Sequence, residues 1–138
     1  VITPNIFEAQ ALIDRKIYNI DDMKSAALDI LKLGAKKVVV KGGHLEEDRA
    51  TDILYDGQEF KRLQSHWVET KNTHGTGCTF SSAIAANIAL GKNFFEAVTL
   101  AKAYITGAIE HALSMGKGHG PTHHFFDLYA KAKLNHVF

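Results

Sequence analysis

Apolar residues recur at helical spacing through Met23, Ala27, Ile30 and Leu31, which predicts a helix starting at Asp21 or Asp22 and ending at Leu33, with Gly34 as its stop. Ahead of it, Val1-Ile2-Thr3-Pro4 reads as the end of a buried strand. Asn5 then caps a short helix through about Ile13, with Glu8 three residues on. The β-branched run Lys37-Val38-Val39-Val40-Lys41 empties into Gly42-Gly43, as a buried strand opening onto a ligand loop does. Residues 50–55 and 58–63 flank Asp56-Gly57 and predict a β-hairpin. Residues 78–90 predict a helix apolar nearly all round, and hence buried. Residues 94–115 predict another, with Glu96, Thr99, Lys102, Thr106 and Glu110 along its wet face. A last helix is expected over residues 125–134.

Strand, helix, strand, hairpin and stacked helices together predict an α/β layered fold in a single domain over residues 1–138. Ligands of open α/β sheets bind beyond the carboxyl ends of strands. Asn5, Gly42-Gly43 and Gly75–Gly77 each follow a predicted strand, so one shared edge is expected. No repeat, low-complexity tract or linker interrupts the chain.

Composition narrows the classes. At 138 residues with 46% hydrophobic positions, the chain has the length for a real core. A net charge of +1 and no basic stripe argue against nucleic acid as a partner. No apolar run reaches membrane-spanning length and no signal peptide is visible, so no membrane partner is expected. One cysteine excludes an internal disulfide framework and suits a reducing cytoplasm. A chain that opens on a core strand is expected to lack an upstream half.

The candidate chemistry lies mainly in Asn72-Thr73-His74-Gly75-Thr76-Gly77-Cys78-Thr79. Two glycines let a ligand approach the backbone, and a helix start presents N–H groups without internal acceptors. Together they form an anion cradle suited to phosphate. Three readings of Gly75–Cys78 stand open: a structural turn with Cys78 as a small buried hydrophobe, a Cys–His nucleophile with His74, or the anion hole of a phosphoryl transfer. A helix start lowers a thiol pKa, which suits Cys78 as a base. Asn5-x-x-Glu8 reads as a capping box, or places Glu8 near Mg²⁺ through water; the two roles coexist in part. Lys41 reaches phosphate oxygens, or simply ends a strand. His44 reads as a polar loop residue and Trp67 as packing at the sheet edge. The run Gly118-His119-Gly120-Pro121-Thr122-His123-His124 reads as a turn between helices covering a nucleotide base, with a histidine zinc site as the weaker alternative.

Thr3-Pro4-Asn5-x-x-Glu8-Ala9, Val39-Val40-Lys41-Gly42-Gly43-His44, Asn72 to Thr79 and Gly118-His119-Gly120-Pro121 occur in order. Together they closely resemble the hydroxymethylpyrimidine/phosphomethylpyrimidine kinases of thiamine biosynthesis, in the ribokinase-like superfamily. The resemblance implies ATP-dependent phosphorylation of 4-amino-5-hydroxymethyl-2-methylpyrimidine and then of its monophosphate, with ATP and Mg²⁺ as cofactors; pyridoxine or pyridoxal kinase activity, or a non-catalytic nucleotide-binding fragment, are the alternatives. It implies a partial ribokinase-like layered sandwich, the carboxyl-terminal half of the central sheet with its packed helices. Gly75, Thr76, Gly77 and Cys78 would form the anion hole, with Cys78 standing where most ribokinase-like enzymes carry an aspartate base. Lys41 would reach the ATP phosphates and Glu8 would serve Mg²⁺. Asn5, Gly42, Thr73, Val68, Lys71 and Gly118 would lie around the nucleotide. Members of that family are about twice this length, so the chain is expected to be the ATP-binding half without the pyrimidine-binding half. An exposed sheet edge would then favour a homo-oligomer.

Overall fold

The computed structural model describes residues 1–43, 45 and 49–133, in two compact units, Val1–Trp67 and Val68–Phe138. The expectation for His44 and the end of the last helix at Leu134 lie outside the described residues.

In the first unit, residues 2–4 run parallel to β1 (Val38–Val40). Ile2 N–H donates to Lys37 O (3.0 Å), Val39 N–H to Ile2 O (2.9 Å) and Lys41 N–H to Pro4 O (2.8 Å). The sheet continues antiparallel through β2 (Thr51–Tyr55) and β3 (Phe60–Gln64), in the order β1-β2-β3. Between the parallel segments lie α1 (Ile6–Ile13) and α2 (Ile20–Lys32). Met23, Ala26, Ala27 and Ile30 of α2 join Val38, Val40 and Ile53 in one core, which also takes Ile6 and Ala9 of α1. Val39 and its partner Leu54 face the other side of the sheet and are fully buried too. A strand buried on both faces has no reason to alternate, hence the unbroken valine run.

Helix starts follow local chemistry. Asn5 Oδ1 accepts the Glu8 N–H (2.9 Å) while Glu8 Oε2 accepts the Asn5 N–H (2.6 Å), a complete capping box. Asn19 Oδ1 takes the Asp22 N–H (2.9 Å), so α2 begins at Ile20, just ahead of the expected aspartates. Gly34 follows with φ +107°, a left-handed stop.

The second unit holds α3 (Thr76–Ala89), α4 (Phe94–Glu110) and the short α5 (Phe126–Lys131). Phe80 and Ile84 of α3 are buried, as are Phe94, Ala97, Val98, Ala101, Ile105 and Ala108 of α4, at the three- and four-residue spacing of two packed helices. Gly107 admits the Phe126 ring: a Cβ there would stand 2.5 Å from its Cζ. His111 stacks on the same ring at 5.0 Å.

Four expectations need correcting. The α3 segment is not buried all round: Ser82, Ala85, Ile88 and Leu90 are exposed, because within this unit α4 packs on one side only. The helix expected to reach residue 115 ends at Glu110. His123 N–H takes the Ala108 carbonyl (2.8 Å), so Ala112 N–H turns back to Ile109 O (3.1 Å) and the helix stops. The hairpin loop has four residues, not two, since Tyr55 pairs with Phe60. There the Asp56 carboxylate accepts the N–H groups of Gln58 and Glu59 (both 2.9 Å) and the Tyr55 and Phe60 rings stack at 4.2 Å. Finally, no strand directly precedes Gly75 among the described residues; His74 forms only an isolated bridge with Pro121.

The backbone N–H groups of Glu59 and then Gln58 hold the Asp56 carboxyl below its ordinary range. A carboxylate depressed in the folded chain contributes stability above its unfolded value of 3.8, lost as pH falls through the lower folded value. Asp56→Ala is therefore expected to lower Tm at neutral pH and to flatten its fall across that window. Melting curves across the acid range check this, and an unchanged acid limb would refute it.

Candidate functional site

The expected site residues fall into two groups, one in each unit. In the first, the parallel bridge between Asn5 and Lys41 sets these residues side by side at the carboxyl ends of their segments. Neither position is accidental: Asn5 must follow Pro4 to cap α1, and Lys41 N–H must reach Pro4 O to extend the parallel pairing. Glu8, one turn into α1, spends Oε2 on the Asn5 N–H and is otherwise exposed. Its remaining oxygen suits a water-bridged Mg²⁺, which binds through one or two carboxylates with phosphates and water completing the shell.

Gly42 follows at once. A Cβ there would stand 1.9 Å from the Thr51 carbonyl oxygen, so only glycine fits. Its N–H donates to Asp52 Oδ1 (3.0 Å), and Asp52 is almost fully buried. Sequence reasoning missed Asp52. A carboxylate inside the apolar run of residues 50–55 is the signal, because a buried acid demands a donor. Gly43 adopts φ +96° and lies against Trp67, whose ring carries the Arg49 guanidinium at 5.5 Å. Trp67 is 45% exposed and packs at the edge of the unit against Gly43 and Arg49.

In the second unit, Gly75 takes φ +83°, a left-handed conformation open to glycine at little cost, and becomes the N-cap of α3. No atom lies within 4 Å of where its Cβ would stand, so the loop surface there is open. Thr73 C=O accepts both the N–H (3.2 Å) and the Oγ1 hydroxyl (2.7 Å) of Thr76. The first bond of the helical ladder runs from Thr79 N–H to Gly75 O (2.9 Å), so the Gly77 and Cys78 N–H groups precede it, at the positive end of a fourteen-residue helix. Cys78 is exposed, which removes its reading as a small buried hydrophobe.

Val68 is half-buried, and Lys71 and Gly118 are exposed. Lys71 O accepts the His119 Nδ1–H (3.0 Å). Asn72, 6% exposed, accepts the Gly120 N–H at Oδ1 (3.1 Å), and His74 N–H donates to Gly120 O (3.1 Å). Thus residues 71–74 and 119–120 are brought together. The roles of Asn72 and Gly120 in this pairing escaped sequence reasoning, since forty-eight positions separate them.

The α/β fold is shared with solved pyridoxal kinases of the ribokinase-like class. Residues 1–123 match the family described as phosphomethylpyrimidine kinase, and the chain belongs to that family. The hydroxymethylpyrimidine/phosphomethylpyrimidine kinase of Bacillus subtilis (strain 168) is 45% identical over 125 residues, 90% of this chain and 46% of the relative. A pyridoxine kinase of the same organism is 44% identical over 126 residues, again 90% of this chain and 46% of the relative. The solved pyridoxal kinase from Staphylococcus aureus, in complex with AMP-PCP, superposes with a TM-score of 0.85 at 39% identity, over 99% of this chain and 48% of that one. The chain spans about half the length of the curated relatives it matches.

Gly42→Ala is expected to force the 41–43 loop away from β2 and to destabilise the chain by about 1–3 kcal/mol. Thermal unfolding checks this; a variant melting with the wild type would show that the close approach to Thr51 is not needed.

Proposed function

We propose that these 138 residues supply the ATP-handling part of a kinase that phosphorylates 4-amino-5-hydroxymethyl-2-methylpyrimidine and then its monophosphate. The observation that carries this reading is the start of α3: a left-handed Gly75, then Thr76, Gly77 and Cys78 before the first ladder bond, in a chain of the phosphomethylpyrimidine kinase family. Phosphoryl transfer depends mainly on positioning and on stabilising charge on the moving group. Within residues 75–78 the Thr76 N–H is turned to Thr73 C=O, and the N–H groups of Gly75, Gly77 and Cys78 hold the transferred phosphate as the substrate hydroxymethyl oxygen bonds to phosphorus. The bond from that phosphorus to the ADP oxygen breaks, and the hydroxyl proton leaves to a base, Cys78 or water. Lys41 meets the ATP phosphates as a point charge. Asn5, Gly42, Val68, Lys71, Thr73 and Gly118 border the nucleotide. Glu8 would hold Mg²⁺ through water, and the ion would supply neutralisation of the phosphate charge. The pyrimidine-binding residues belong to the half of the relatives that this chain does not span.

A second reading, pyridoxine or pyridoxal as acceptor, is favoured by the likeness to the S. aureus pyridoxal kinase. No helix among the described residues is long and apolar enough to cross a membrane, and the cytoplasm is the proposed compartment. Self-association through the exposed apolar positions of α1 and α3, such as Leu12 and Ile88, is proposed as well.

The test pairs MgATP titration with coupled ADP release, using the pyrimidine and pyridoxine as acceptors. The chain alone is expected to bind MgATP with little acceptor-dependent release. Release that requires the pyrimidine would place its contacts within these residues; preference for pyridoxine would reverse the acceptor assignment. A folded chain that binds no MgATP would sink the reading. Gly77→Val is expected to weaken MgATP binding at least tenfold, about 1.4 kcal/mol, by setting side-chain bulk where the phosphate meets the backbone. Unchanged affinity in the folded variant would remove residues 75–78 as the cradle.

A further inference from the structure

The loop that leads into α3 is held from outside by a segment far along the chain. Asn72 is nine-tenths buried, and its Oδ1 accepts the Gly120 N–H at 3.1 Å. The carbonyl of the same Gly120 accepts the His74 N–H at 3.1 Å. One residue thus grips positions 72 and 74, on either side of Thr73. Beside it the His119 ring binds Lys71 O at 3.0 Å; a carbonyl only accepts, so Nδ1 carries the proton. Thr73 N–H shares that Lys71 carbonyl (3.0 Å), and Thr73 C=O receives both donors of Thr76. From Asn72, whose N–H meets Thr70 Oγ1 (3.1 Å), the backbone enters the glycine loop with its donors committed at 72, 73, 74 and 76.

Gly120 is glycine for the same reason. A Cβ there would stand 2.4 Å from Asn72 Oδ1 and 3.2 Å from Leu113 O. A side chain at 120 and the amide of Asn72 compete for one volume. The pairing is therefore specific to these two residues rather than a general contact between loops.

We propose that Asn72 is a positioning residue for the phosphate loop, acting through Gly120, with His119 as the outer member of the same clasp. The proposal rests on the reading of residues 75–78 as a phosphate cradle. Asn72 does not itself touch phosphate. It sets the direction in which Thr73–Gly75 delivers the first N–H groups of α3, so its loss spreads those donors without removing any of them.

The experiment titrates the chain with MgATP and, separately, with inorganic tripolyphosphate, at a temperature where circular dichroism shows every variant folded. Asn72→Ala and Gly120→Ala are each expected to weaken both ligands about tenfold, the scale of one lost buried hydrogen bond. Combined, they are expected to cost far less than the product of the two, because each removes the same bond. A residue that merely supports the fold would lower Tm and leave affinity below the melting range unchanged. Asn72→Ala binding both ligands as the wild type does would overturn the proposal. So would weakened MgATP with unchanged tripolyphosphate, since the clasp would then serve some part of the nucleotide other than its phosphates. His119→Ala, at an exposed position, keeps the test open if Asn72→Ala fails to fold: a loss of about threefold for both ligands is expected, and none overturns the clasp. If the wild-type chain binds neither ligand, the cradle reading itself has failed, and the proposal falls with it.

Discussion

Three backbone hydrogen bonds between residues 2–4 and β1 order the first unit: Ile2 to Lys37, Val39 to Ile2, and Lys41 to Pro4. They make the opening residues a parallel edge of the sheet, so the chain between them must cross over, and α1 and α2 are that crossover. The pairing runs on to Asn5, which is also the residue that caps α1. As a result a helix start and a lysine-bearing strand end meet at one edge. Replacing any one of these links changes the neighbour of Lys41, not only the stability of the strand.

The second unit solves a different problem. Its apolar surface is shared between two helices, and its loops carry the candidate chemistry. Order in those loops comes from polar atoms that are buried and matched: Asn72 with Gly120, and His123 N–H with the Ala108 carbonyl. The second of these also ends α4. A buried polar group with a partner constrains a loop more sharply than apolar contact does, because the unpaired alternative is costly. The Thr122 hydroxyl, buried with no partner among the described residues, shows that the matching is not complete.

Local chemistry was the legible part of the sequence. The Asn5–Glu8 capping box, the Gly34 stop, the valine strand and the glycine start of α3 each depend on residues within four positions of one another. Family motifs of that kind were legible too, and residues 1–123 match the family they suggested. What stayed hidden is nonlocal. Helical spacing through residue 115 gives no hint that His123 will claim the Ala108 carbonyl, nor does Asp56-Gly57 reveal that Tyr55 will stack on Phe60. The apolar run of α3 implied burial on all sides, yet burial depends on what packs against a helix and not on its composition alone. Asp52 and the Asn72–Gly120 pair went unread because their partners stand ten and forty-eight positions away.

Cys78 has one more consequence. It is the only thiol in these 138 residues, and it is exposed in the first turn of α3. A thiol-selective reagent therefore finds a single target among these residues, in the first turn of α3. Among these 138 residues no second thiol stands ready to pair with it. A thiol-directed label therefore reports on the start of α3 without touching the residues that hold the loop in place.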